Sequence, residues 1–201
     1  MGSSSSKFRK HLNNGDEFAA LQLYNSSSDL RKALDPNCSY GDTYSHDTPL
    51  HLAARHAMKS LLRIFLNELG GNPNKKNIRN ETPLHCLAVT SSGNTFSVQQ
   101  RRAECLTLLL HWRGAVMADG VVEKVDLDAE DEKQNTPLHY AATSGMKRFV
   151  EILVAHGSPL FTENTLKQTP CDCAEKSGHG DIALYLESKM VFSVSHFYLF
   201  L

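Results

Sequence analysis

The tetrapeptide Thr-Pro-Leu-His occurs three times in this chain: Thr48-Pro49-Leu50-His51, Thr82-Pro83-Leu84-His85 and Thr136-Pro137-Leu138-His139. A degraded fourth copy is Thr169-Pro170-Cys171-Asp172. The first two copies start 34 residues apart and the last two 33. A period of this length constrains the fold more than any composition does. One supersecondary unit recurs, no unit can bury its own apolar face, and neighbours must therefore stack. The 201 residues are 41% hydrophobic, so a core is expected, and the net charge of −1 gives no basic face for a nucleic acid.

Each signature reads as the start of a helix. Thr48, Thr82, Thr136 and Thr169 stand where an N-cap belongs, because their hydroxyls can accept a first-turn backbone N–H. The prolines that follow suit the first helical position, where a missing N–H costs nothing. Leu50, Leu84 and Leu138 point into the stack, and Ala53-Ala54 and Ala141-Ala142 allow a paired helix to approach. Gly145 and Gly178 end these inner helices. A second helix follows in each unit, with apolar residues at helical spacing such as Leu61, Leu62, Phe65 and Leu66, or Phe149, Val150, Leu153 and Val154. The period and signature together resemble the ankyrin repeat.

Residues 7–40 read as a capping unit without the signature. Asn14-Gly15-Asp16 resembles the inter-helix turn of an ankyrin repeat, and Ser28-Asp29 can cap a further short helix. Repeats follow over 41–189. The second period is 21 residues too long, with the excess within 91–100 and 117–132. The latter piece carries seven carboxylates against Lys124. Two readings stand: an acidic loop that meets a basic partner, or a solvated loop without a role. Asp126-x-Asp128 resembles a hairpin turn, which makes part of this acidity structural.

Ten histidines suggest a metal, but repeated use of His51, His85 and His139 at one motif position implies packing. Each imidazole is expected to bond the backbone of an adjacent hairpin, with Asp172 in this place in the last unit. The five cysteines form no C-x-x-C pair, and Cys171-Asp172-Cys173 is too tight for a usual zinc pair. Their odd number and the absence of a secretory leader point to a reduced, intracellular protein. No phosphate loop, nucleophile–base pair or other catalytic constellation is found, and no cofactor is expected.

The termini raise separate expectations. Met1-Gly2-Ser3-Ser4-Ser5-Ser6 matches the myristoylation pattern with Gly2 as acceptor. Lys7, Arg9 and Lys10 supply the basic second signal that one acyl chain needs for weak membrane association. Residues 1–6 are otherwise expected to be flexible. The tail 190–201 is apolar and has high β-propensity. It either covers the end of the last repeat, exposes an aggregation-prone segment, or is not the native continuation.

The stretches MGSSSSKFRK, NNGDE, LDPN, TPLHLAARH, NETPLH, NTPLHYAATSGM and TPCDCAEK resemble the ankyrin-repeat and IBR-domain-containing RBR ubiquitin ligases, over residues 1 to about 193. In that family the ankyrin region precedes a RING–IBR–RING assembly with zinc-binding cysteines and a catalytic cysteine. This sequence has none of those elements, so no catalytic residue carries over, and a truncated isoform is expected.

The fold expected is all-α: an ankyrin-repeat solenoid of about five helix–turn–helix units with short hairpin connections. The function expected is cytoplasmic protein binding, resembling recruitment of a substrate or adaptor to such a ligase; a stand-alone adaptor or competitive inhibitor is the alternative. Hairpin-tip candidates are His46, Asp47, Arg79, Asn80, Gln134, Asn135, Lys167 and Gln168. Inner-helix candidates are Leu52, Arg55, Cys86, Tyr140, Thr143 and Lys176, with Tyr140 foremost because tyrosine is enriched at interface hot spots. Replacing Tyr140 and Arg55 together by alanine is expected to weaken partner capture and leave the melting temperature nearly unchanged.

Overall fold

The computed structural model describes residues 3–89, 95–118 and 120–198, with side chains as far as residue 191. Among these residues there are eleven α-helices, and only a single bridge, Val116 with Val122, is extended pairing. The chain divides into two compact units, one of residues 1–87 and 104–125, the other of 88–103 and 126–201.

In the first unit α1 (Ser4–Asn14) and α2 (Glu17–Ser26) form the leading pair. The Ser-rich leader expected to be flexible is the first turn of α1: Ser3 Oγ accepts the Ser6 N–H at 3.3 Å. Serine is a strong N-cap, and Phe8 and Leu12, both buried, anchor the helix that it starts. Asp16 caps α2 through the Ala19 N–H. The short α3 (Ser28–Ala33) is capped by Ser27 rather than by the Ser28-Asp29 pair. Next come α4 (Pro49–Arg55) and α5 (Lys59–Arg63), which runs on into a wide π-type turn, Ile64–Glu68. α4 packs on α1 and on α6 (Pro83–Leu87), and α2 packs on α5. Leu50, Leu61, Leu62, Phe65 and Leu84 are fully enclosed. Each such side chain contributes roughly 1.5–3 kcal/mol by leaving water.

The long α7 (Phe96–His111) buries Cys105, Leu106 and Leu109. The insertion after it is a small hairpin, in which Gly114 N–H donates to Glu123 O and Glu123 N–H to Ala115 O. From Val125 the chain alternates: Val125, Ala129 and Asp131 are buried, while Asp126, Asp128, Glu130 and Glu132 are exposed. Asp126 Oδ1 accepts the Asp128 N–H at 2.9 Å, so this carboxylate serves a turn.

In the second unit α8 (Pro137–Thr143) packs on α9 (Lys147–Ala155) and on α10 (Pro170–Lys176), which packs on α11 (Gly180–Tyr198). Leu138, Met146, Phe149, Val150, Leu153, Ile182 and Leu186 form its core. The β-prone tail is helical as far as Tyr198. Extending a nucleated helix needs one bond per residue fixed, and that outweighs a weak strand preference.

Two histidines outside the signature close the inner-helix ends. His56 Nε2 bonds Asn13 O at 2.9 Å beside Gly15, and His179 Nε2 bonds Thr143 O at 3.2 Å beside Gly145. In both places the ring lies where a glycine Cβ would be, 3.0 Å from the nearest His56 atom and 2.4 Å from the nearest His179 atom. Gly145 also has φ +69°, which an L side chain adopts at a cost of about 1–2 kcal/mol. Gly145→Ala should therefore lower unfolding stability by about 2–3 kcal/mol in urea titration. With His179→Ala already present, the same change should cost only the backbone part, about 1–2 kcal/mol.

Candidate protein-interaction site

The signature side chains set the positions of the hairpins from which a surface can be built. Thr48 N–H donates to His51 Nδ1 at 3.3 Å and the Thr48 hydroxyl lies 2.8 Å from the same nitrogen. The other ring nitrogen, Nε2, is 3.0 Å from Glu81 O at the base of the next hairpin. His139 repeats this geometry with Thr136 (3.1 and 2.9 Å) and Gln168 O (3.0 Å), and His85 makes the same two bonds with Thr82. Donors at Nδ1 and an acceptor at Nε2 require the neutral Nε2–H tautomer. In the last unit Asp172 accepts from Thr169 N–H and hydroxyl, both at 2.7 Å, and these bonds hold its carboxyl below the ordinary range.

Three hairpins are held from inside by one device. Asn77 Oδ1 accepts Arg79 N–H and Glu81 N–H at 2.9 and 3.0 Å. Asp131 Oδ1 does this for Lys133 and Asn135, and Asn164 Oδ1 for Leu166 and Gln168. The third residue after each, Asn80, Gln134 or Lys167, has φ between +57° and +59°. A tight Asx turn forces this left-handed step, which projects the tip outward.

The structure sorts the sequence candidates into three groups. Asn80, Gln134, Thr143, Lys167 and Lys176 are exposed. His46, Arg55, Arg79, Asn135, Tyr140 and Gln168 are half-buried. Asp47, Leu52 and Cys86 are at most 4% exposed, so they belong to the interior and not to a surface. Leu52 is turned inward because the short α4 is packed on two sides, by α1 and α6.

Asp47 and Cys86 are buried by a network in the first unit. Arg55 binds both, reaching an Asp47 oxygen and, at 3.3 Å, the Cys86 sulfur. Asn77 Nδ2 adds bonds to Asp47 at 2.9 Å and Glu81 at 2.8 Å, and Arg79 closes on Glu81 at 2.7 Å. Arg55 is thus a structural residue, contrary to its expected use as a free contact. In the second unit the Tyr140 hydroxyl donates to Asp131 at 2.6 Å and Asn164 donates to Asn135 at 2.9 Å. The Thr143 hydroxyl turns back to His139 O. His46 is held between Asp42 and Ser39.

Sequence reading missed Asn77, Asp131 and Asn164, although an Asn or Asp three residues before a left-handed tip is a readable signal. It also missed Ile78 and Leu166, apolar tip residues that are 61% and 71% exposed. The membrane expectation changes in part: Lys7 and Lys10 are exposed, but Arg9 lies over the Tyr40 ring at 4.3 Å. Gly2 and residues 91–94 of the first insertion lie outside the described residues.

The buried thiols are poor nucleophiles. Burial pushes Cys86 up to about 12, with Arg55 only partly opposing it, and raises Cys171 to about 11. Among the described residues no group of histidine, cysteine and carboxylate side chains can hold a metal, and no helix is long and apolar enough to cross a membrane.

The ankyrin-repeat family model, as three copies, matches residues 95–192, and a single ankyrin-repeat model matches 45–78. The chain is an ankyrin-repeat protein. As such it is a protein-interaction module. It is 51% identical over 205 residues to ankyrin repeat and IBR domain-containing protein 1 of Mus musculus, and 50% identical over 208 to that of Homo sapiens. Each alignment covers 96% of this chain and 19% of the relative, so the chain spans about a fifth of those proteins. NF-kappa-B inhibitor alpha of Gallus gallus is 32% identical over 120 residues, 58% of this chain and 31% of that one.

The imidazole geometry makes the ankyrin fold acid-sensitive. Burial holds His51 and His139 below their ordinary 6.5. Between that depressed value and 6.5 the folded chain binds fewer protons than the unfolded one, so stability is full above about pH 6.5 and falls as pH drops below it. Thermal melts between pH 8 and 5 should show this decline, and His139→Gln should flatten it while lowering stability at pH 8. Arg55→Ala should cost on the order of 3 kcal/mol, because Asp47 loses its cation in a buried site. Urea titration checks this, and a preserved midpoint would return Arg55 to the list of free contacts.

Proposed function

We propose that this ankyrin module recruits a protein to ubiquitination by an RBR-type ligase. The observation that supports this reading is the identity of 51% along 96% of the chain to an ankyrin repeat and IBR domain-containing protein. The residues available for contact are the exposed tips Asn80, Gln134 and Lys167 and the exposed helix positions Thr143 and Lys176. Ile78 and Leu166 add apolar area to the tips of their hairpins. Tyr140 keeps a role as a rigid half-buried surface, fixed by Asp131. In this reading the transfer chemistry is supplied from outside the module, and burial makes Cys86 and Cys171 poor nucleophiles. The module works in the cytoplasm, with Gly2 acylation and the exposed Lys7 and Lys10 giving weak membrane attachment.

Expressed in excess in cells, the module should compete for the recruited protein. Proteins captured by proximity labelling should carry less ubiquitin when it is present. Leu166→Glu combined with Lys167→Glu should weaken capture by about tenfold or more without moving the melting temperature. Captured proteins whose ubiquitin load never changes would replace this reading with that of a stand-alone adaptor. Loss of acylation in Gly2→Ala should release the chain from membrane fractions.

A further inference from the structure

The first unit holds a cavity of about 220 Å³ between α1, α3 and the loop that follows α3. Its floor is apolar, made by Phe8, Leu30, Ala33 and Leu34. Its wall is a cation on an aromatic plate. The Arg9 guanidinium lies 4.3 Å from the centroid of the Tyr40 ring and 5.8 Å from that of Tyr44. These rings meet edge to face, 5.7 Å apart. Arg9 Nε is buried and has no hydrogen-bond partner among the described residues. An orphaned guanidinium N–H beside an apolar cavity is costly unless something supplies an acceptor. The one carboxylate of the lining, Asp35, is committed to a turn, accepting the Asn37 N–H at 2.8 Å. The cavity is too small for a drug-sized ligand and suits one side chain with part of its backbone.

We propose that this cavity receives an apolar side chain of a partner polypeptide, with an adjacent carboxylate of that partner paired to Arg9. This deepens the protein-binding reading by naming what one part of the partner looks like. Charge complementarity selects the occupant: the guanidinium is planar, always charged, and matches a carboxylate in two-point geometry. Stacking on Tyr40 fixes its orientation in advance, so little side-chain freedom is lost on binding.

Cys38 makes the cavity open to direct test. It lines the site and is the exposed one of the five cysteines, the other four being buried. Two aromatic disulfides serve as probes on the isolated chain: 5,5′-dithiobis(2-nitrobenzoate), which is anionic, and 4,4′-dithiodipyridine, which is neutral. In each reaction the Cys38 thiolate attacks one sulfur, a mixed disulfide forms, and one aromatic thiolate leaves and is read by absorbance. The ratio of the two rates, divided by that for glutathione, reports attraction of an aromatic carboxylate to the cavity. It should exceed one by about tenfold, collapse in Arg9→Gln, survive in Arg9→Lys, and move by less than about twofold in Lys10→Gln.

The peptide acetyl-Phe-Glu-Leu-amide should then protect Cys38 from the neutral probe, and acetyl-Phe-Gln-Leu-amide should not. Equal normalised rates in the wild type and Arg9→Gln would overturn the site. An anion preference without protection by the acidic peptide would overturn the polypeptide as its occupant. Neither result touches ubiquitination, so this site and the ligase reading fail separately.

Discussion

A neutral imidazole with both nitrogens engaged holds a repeat to the next hairpin once inside each unit. His51 accepts at Nδ1 from the threonine that starts its own helix and gives its Nε2–H to the carbonyl of Glu81, thirty residues on. His139 does the same with Thr136 and Gln168. One ring thus satisfies an orphan group at a helix start and a carbonyl at a hairpin base, which would otherwise be stranded away from water. Lysine has no acceptor and glutamine lacks the rigid ring, so the choice of histidine follows from the geometry. In the unit that starts at Thr169, Asp172 keeps the helix-capping half of the arrangement.

Histidine recurs in this chain for three separate structural reasons. His51, His85 and His139 belong to the signature. His56 and His179 lie over glycines and close the preceding inner helix. His111 and His156 return a proton to the carbonyl four residues back at the ends of α7 and α9. Six of the ten histidines that first suggested a metal are thus spent on backbone carbonyls. A fold closed by unpaired backbone oxygens has a need for such donors at each repeat boundary.

Much of this was legible in the sequence. Thr-Pro-Leu-His fixes the helix starts because N-cap and proline chemistry are local, and the period fixes the pairing because stacking demands it. The candidate surface was less legible. Asp47 and Cys86 look polar and accessible on paper, yet Arg55 draws both into a buried network that joins residues about thirty positions apart, Arg55 to Cys86 and Asn77 to Asp47. Ser3 starts a helix because Phe8 and Leu12 find a core, which no leader composition reveals. Long-range pairing of this kind is written in the fold and not in any window of sequence.

The inward Asx side chains of Asn77, Asp131 and Asn164 separate two tasks that a loop usually merges. They bear the turn, so the side chains of Ile78, Asn80, Glu132, Lys133, Gln134, Thr165 and Leu166 stand exposed at the tips. The first position of the three tips is Ile78, Glu132 or Thr165, apolar, acidic and hydroxylic in turn upon one backbone path. Evolution can therefore rewrite what each finger touches one residue at a time, without risking the scaffold that displays it.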